Sequence, residues 1–188
     1  VIEADEQLLE RVRRGDGAAF ETLFLRYYAQ VFRVLHNLLG KERAEDVAQE
    51  TFLTLYHNPP QIESDRLIAW LCRVAINRGY NILRGDQRES RRLERAFEPP
   101  MQIDPHTEAL RAEERAGVRT ALARLPERQA RLLLLRHAGL SYAEIAAVID
   151  VAPGSVGTLL SRAERAFLAV YEQLEWIERT GSLDVRSP

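Results

Sequence analysis

"LSYAEIAAVIDVAPGSVGTLLSRAERAF", residues 140–167, places two helical patterns on either side of a three-residue turn. Ser141-Tyr142-Ala143-Glu144 opens the first as a capping box. The Ser141 hydroxyl can accept from the Glu144 amide while the Glu144 carboxylate reaches back. Ile145, Ala146 and Ile149 then return at helical spacing, and the small Ala146 stands where two helices must approach closely. Asp150-Val151-Ala152 makes the turn. Beyond it Val156, Leu160, Ala163 and Phe167 form an inward stripe. Ser155, Thr158, Arg162 and Arg165, with Ser161 beside them, form a polar one suited to a major groove. A plain helical hairpin would need only the inward stripe. The cap, the turn length, the small residue and the polar stripe together point to a helix-turn-helix.

The surrounding chain is helical in pattern too. Residues 107–124 and 126–138 read as helices, with Pro126 at a first-turn position and Gly139 closing the second. "AFEPPMQIDPH", residues 96–106, carries three prolines and no period, so it reads as a linker or an extended strap. Before it stand a short helix at 5–14, ended near Gly15-Asp16-Gly17, and a long one at 18–39 with Gly40 as its cap. A helix at 43–57 follows. The loop "HNPPQIES" comes next, and a fourth helix starts near Ser64 and runs past Leu83. No repeat and no alternating β pattern is present. The expected fold is all-α, two small helical bundles joined by a proline-containing linker. The expected units are a four-helix domain at 1–94, a linker at 95–106, a helix-turn-helix domain at 107–175 and a fraying tail at 176–188.

"RAEDVAQETFLTLYHN", residues 43–58, has two unlike faces. Ala44, Val47, Ala48, Thr51, Phe52 and Leu55 hold a core-facing stripe. Glu42, Glu45, Asp46, Gln49 and Glu50 crowd the other side. An acidic ridge repels phosphate, so its natural partner is protein. Charge elsewhere is uneven as well. The net charge of −2 divides into −4 over residues 1–63, +4 over 64–95 and −2 over 96–188. The basic segment is the fourth helix. Leu67, Leu71, Val74, Ala75 and Ile82 can face inward there, while Arg73, Asn77, Asn81, Arg84 and Arg88 fall at steps of four, four, three and four on another face. Arginine clamps phosphates and asparagine can read base edges, although a solvated helix face would show the same spacing.

Other function classes find little support. One cysteine, Cys72, excludes an intramolecular disulfide and any multi-cysteine zinc site. The four histidines are scattered, so no metal site is expected. No apolar run reaches the roughly 20 residues needed to span a bilayer. No basic-then-apolar start marks a signal peptide, and the default compartment is the cytoplasm. No nucleophile–base pair, phosphate loop or carboxylate dyad marks an enzyme. A stand-alone helix-turn-helix regulator would explain residues 140–167 but leave the acidic ridge and the first bundle without roles.

Four stretches in order resemble the extracytoplasmic-function (ECF) sigma factors, the smallest class of the bacterial sigma-70 family. "FETLFLRYYAQVFRVLHNLLG" and "AEDVAQETFLTLY" resemble the first half of sigma region two. "LIAWLCRVAINRGYNILR" resembles its promoter-reading half. "LPERQARLLLLRHAGLSYAEIAAVIDVAPGSVGTLLSRA" resembles region four. The likeness covers about residues 6–172. Two departures stand out. Asp150 occupies a turn position where the family commonly has Gly, and Gly157 and Leu159 occupy positions that commonly hold Lys or Arg.

The resemblance implies a transcription initiation factor without cofactor or membrane insertion. It assigns Asp46, Gln49, Glu50 and Leu53 to docking on the clamp helices of the β′ subunit of core RNA polymerase. It assigns Arg73, Asn77, Arg78, Asn81, Arg84 and Arg88 to the minus-ten promoter element. Asn58, Gln61 and Ser64 belong to the loop that receives a flipped base. Ser155, Thr158, Ser161, Arg162 and Arg165 are implied to read the minus-thirty-five element, with region four resting on the β flap. Strand opening costs roughly 1.4 kcal/mol per base-pair step, and capture of a flipped base offsets part of that. The resemblance also implies an anti-sigma factor wedged between hinged domains. Self-inhibition, with the domains or the 174–188 tail packed over the basic stripe, is the competing arrangement.

Overall fold

Asp16 starts the second helix of the first bundle. Its carboxylate accepts from the Ala18 and Ala19 amides at 2.9 and 3.2 Å and is itself held by Arg11 Nε at 2.9 Å. The computed structural model describes residues 3–62, 66–93 and 108–181. All regular structure among them is helical: α1 (Asp5–Arg13), α2 (Gly17–Leu39), α3 (Lys41–His57), α4 (Leu67–Leu93), α5 (Glu108–Arg124), α6 (Glu127–His137), α7 (Tyr142–Ile149) and α8 (Pro153–Gly181). Gly40, at φ 84°, both ends α2 and starts α3, a backbone state glycine adopts at no steric cost.

Helix α2 is the hub. It packs against α1, α3 and α4 in its own bundle and also meets α5 and α6. Leu23, Val31, Leu35 and Leu38 are buried on it. Asp5 at the start of α1 is buried too. Arg26 and Tyr27 of α2 hold its carboxylate, which ties α1 to α2. A buried carboxylate without such partners would be strongly destabilising. Burial, and then the neighbouring Asp5 carboxylate, push the Tyr27 phenol pKa well up.

The second bundle is built from α5 to α8, with Ala121, Leu132, Leu135, Leu140, Ile145, Val156 and Ala163 buried. The two bundles are not separate bodies in this structure. Buried side chains of both form one continuous apolar cluster, and α4 lies against α7. The side of α7 toward α4 mixes the small Ala143, Ala146 and Ala147 with the polar Ser141 and Glu144, which read as little apolar surface in the sequence. Helix α4 runs past Leu83, as expected, to Leu93. One boundary differs from expectation. The last helix continues past residue 175 to Gly181, since "EWIERT" contains good helix formers up to the glycine. The expected linker at 95–106 and the end of the tail lie outside the described residues.

Gly79 sets how closely α4 approaches α2. An added Cβ there would stand 2.7 Å from Leu38 Cδ2 and 3.5 Å from Leu39 Cδ1. Gly79→Ala is expected to be nearly neutral, because a gain of up to about 1 kcal/mol in helix propensity offsets the shift of a leucine methyl. Gly79→Leu should destabilise by about 1–3 kcal/mol through overpacking, lowering Tm by about 2–4 °C per kcal/mol for a chain of this size. A Gly79→Leu protein that melts like the parent would contradict this packing.

Candidate functional site

The acidic ridge lies on α3. Its core side is closed by Ala44, Val47, Ala48, Phe52 and Leu55, and the Thr51 hydroxyl donates to the Val47 carbonyl at 2.7 Å. Asp46, Gln49 and Glu50 are exposed opposite them. Leu53 is 52 % exposed and continues the ridge. Tyr56, one turn on and 38 % exposed, rests edge-on against Phe20 at 5.1 Å. Sequence reading passed over Tyr56; its exposed place one turn from Leu53 was the signal for it. The ridge is thus an acidic band that ends in two apolar side chains, a surface suited to a basic protein with an apolar centre.

Helix α4 carries the basic stripe. Leu67, Leu71, Cys72, Ala75 and Ile76 are buried on one side, while Arg73, Asn77, Asn81, Arg84 and Arg88 are exposed on the other. Arg78 leaves that set. Its guanidinium turns to α3 and donates to Glu50 at 2.8 Å and to Thr54 Oγ1 at 2.7 Å. Arg43 and Asp86 form a second α3–α4 pair. The ridge and the stripe are therefore braced to each other. Burial pushes the Cys72 thiol up to about 12, and burial pushes the Tyr80 phenol up to about 12, with Glu127 adding to it.

The loop after α3 is pinned from the far side of the bundle. The Asn58 amide donates to Thr54 O at 2.9 Å, closing α3, and Arg13 of α1 donates to the Pro60 carbonyl. Asn58 and Gln61 are exposed beside it. Ser64 lies outside the described residues.

The helix-turn-helix is formed by α7 and α8. Both halves of the capping box are made: Ser141 N donates to Glu144 Oε2 at 2.6 Å and Glu144 N donates to Ser141 Oγ at 3.3 Å. Val156, Leu160 and Ala163 are buried, and Ser155, Thr158, Ser161, Arg162 and Arg165 are exposed along α8. Leu159 is half-buried and packs on the core. A basic residue there would not face outward. Gly157 faces the Tyr142 ring, and an added Cβ would stand in ordinary contact 3.5 Å from its Cε2. Asp150 adopts φ 58°, ψ 61°, the left-handed state that glycine takes most readily. Among the described residues no three His, Cys, Asp or Glu side chains cluster as metal ligands. No single helix among them is long and apolar enough to cross a membrane.

Residues 23–89 match the family description "Sigma-70 region 2" and residues 115–167 match "Sigma-70, region 4". The chain is 34% identical over 177 residues to the RNA polymerase sigma-H factor of Pseudomonas aeruginosa, covering 87% of this chain and 92% of that one. It is 31% identical over 174 residues to the ECF RNA polymerase sigma-E factor of Escherichia coli strain K12, covering 86% and 91%. Two solved structures share the fold. CnrH in complex with the cytosolic domain of CnrY superposes with TM-score 0.65 at 24% identity, covering 91% of this chain and 99% of that one. The sigma factor RpoE from Bartonella quintana, in complex with the anti-sigma factor NepR, superposes with TM-score 0.58 at 23% identity, covering 81% and 96%.

The turn generates a prediction. A left-handed Asp is strained relative to glycine, so Asp150→Gly should stabilise the chain by up to about 1 kcal/mol, whereas Asp150→Val should destabilise it by more than that. Denaturant midpoints of the two variants measure the difference, and equal midpoints would contradict the strain.

Proposed function

The chain belongs to the ECF sigma factors of the sigma-70 family and directs RNA polymerase to promoters; on that premise we propose that three of its helices divide the work. Helix α3 docks on the polymerase through Asp46, Gln49, Glu50 and Leu53, on the clamp helices of the β′ subunit. Helix α4 grips the minus-ten element through Arg73, Asn77, Asn81, Arg84 and Arg88, and the Asn58–Gln61 loop, continuing to Ser64, takes the flipped base. Helix α8 enters the major groove of the minus-thirty-five element with Ser155, Thr158, Ser161, Arg162 and Arg165, and its domain rests on the β flap.

The observation that carries this division is the opposed chemistry of two neighbouring helices. Helix α3 presents carboxylates outward while α4, braced to it by Arg78–Glu50 and Arg43–Asp86, presents arginines and asparagines. Phosphate is repelled by the first and attracted by the second, so protein and DNA are sorted to separate faces of one rigid pair. Arg78 acts as a strut in this arrangement. The chain needs no catalytic group of its own, because polymerase performs the chemistry. It works in the cytoplasm, where polymerase and promoter meet. An anti-sigma factor is its regulatory partner in this reading, as NepR is found with RpoE.

Two experiments test the division. Asp46→Arg should abolish co-purification with core polymerase while leaving the circular dichroism spectrum and Tm unchanged, since Asp46 is exposed and opposite the packed face. Asp46→Arg with Glu50→Arg should behave the same, with a small loss of stability from like charge against Arg78. Undiminished co-purification would sink the docking role.

Asn77→Ala should keep polymerase binding and lose about 1–3 kcal/mol of base discrimination. Permanganate footprinting of the transcription bubble with the holoenzyme is the readout. Wild-type thymine reactivity on a cognate promoter would remove Asn77 from base reading.

A further inference from the structure

Helix α1 has no part in the division of work proposed above, yet it is firmly mounted and its last residue reaches the base-capture loop. Leu8, Leu9 and Val12 are buried against the first bundle, and Asp5 is clasped by Arg26 and Tyr27 of α2. Arg13 ends the helix. Its Nη1 donates to Glu10 Oε2 at 3.0 Å, and its Nη2 donates to the Pro60 carbonyl, 47 positions along the chain. Arg14 makes the contrast. It pairs with the same Glu10 at 3.0 Å, but its side chain is 73 % exposed against 30 % for Arg13. Of the two, Arg13 is the one turned to the loop. From this contact we infer that Arg13 is a positioning residue for base capture: it fixes the course of the loop at Pro60 and so sets where Gln61 stands, without touching DNA itself.

The loop's own sequence explains why it needs a tie from outside. Pro59 and Pro60 have no N–H, so neither can bond to α3 or α4 through an amide. The Asn58 amide is already engaged by Thr54 O, where it closes α3. A residue before proline is turned away from helical backbone, and Asn58 leaves α3 at φ −136°, ψ 67°. Beyond the prolines Ile62 packs on the apolar core. Gln61 is exposed between these two anchors. With Pro60 held on one side and Ile62 on the other, its amide is presented at a fixed place. Reading a captured base takes hydrogen bonds to its edge. Groups that make them must be held within about 0.5 Å of the productive geometry by supporting residues. A guanidinium suits that task, because its rigid fork can bond Glu10 and Pro60 at once and stays charged at any working pH. Hydrogen bonds from Arg13 and Arg14 hold the Glu10 carboxyl below its ordinary range, so the carboxylate end of the strut stays ionised too.

This inference rests on the proposed role of the loop, and its test separates the two. Holoenzyme is titrated with single-stranded oligonucleotides carrying the minus-ten element of a promoter that it transcribes. Each position carries in turn each of the four bases or no base. Asn58→Ala and Gln61→Ala should lower the base preference at one position, which marks the captured base. Arg13→Ala should lower the preference at that same position roughly three- to tenfold, about 0.7–1.4 kcal/mol at 1.4 kcal/mol per decade. It should leave the other positions, the affinity for the oligonucleotide that lacks the marked base, and co-purification with core polymerase unchanged. Arg13→Lys, which keeps the charge and can give one hydrogen bond, should recover much of the lost preference. Full preference at the marked position with Arg13→Ala would overturn the positioning role and leave the loop reading intact. Equal weakening on every oligonucleotide, those without a base included, would also overturn it, since a phosphate contact or a loosened fold acts in that way. No recovery with lysine would contradict the hydrogen bond as the cause. If neither loop variant marks a position, base capture by the loop fails and the role of Arg13 falls with it.

Discussion

The close approach of α4 to α2 is the constraint on which the rest of the structure depends. Leu71, Ala75 and Ile76 seat α4 in the first bundle, and Gly79 leaves space beside it for the Leu38 methyl. That one seating fixes the direction of everything on the opposite side of α4. It aims Arg73, Asn77 and Arg84 outward and brings Arg78 within reach of Glu50. In the proposed role α4 must hold its side chains at fixed spacing to match base steps, and rigid packing of the buried face is how a helix achieves that.

A second consequence follows from charge. The chain is nearly neutral, yet its two working faces are not. Placing the acidic ridge and the basic stripe on adjacent helices costs little, because ion pairs across their shared edge neutralise the nearest charges. The more distant charges stay free to meet partners of opposite sign. Near-neutral totals also mean weak DNA affinity for the isolated chain, which suits a factor that acts only after polymerase supplies contact area and positive charge.

Much of this was legible in the sequence. The α3 faces followed directly from residue spacing, and the capping box, the turn and the exposed stripe of the helix-turn-helix are where the pattern put them. Asp150 was placed in the turn at a position that commonly holds Gly, and its φ of 58° is the left-handed state that explains the glycine. What periodicity could not supply was tertiary. Arg78 stands beside Asn77, and only the position of α3 decides that it faces a carboxylate. Leu159 stood among polar neighbours yet packs inward. Gly79 reads only as a weak helix former until Leu38 is placed against it. The polar contacts from α4 to α6 and α7 join residues 43 to 74 positions apart, and no local pattern announces them.

The central claim is that this chain gives promoter specificity to a polymerase that lacks it. Run-off transcription with purified core RNA polymerase on a library of genomic promoter fragments tests that most directly. The account predicts discrete transcripts that require the chain and whose start sites share upstream elements at minus ten and minus thirty-five. Transcripts no different from those of core polymerase alone, under conditions where the chain binds that polymerase, would contradict it.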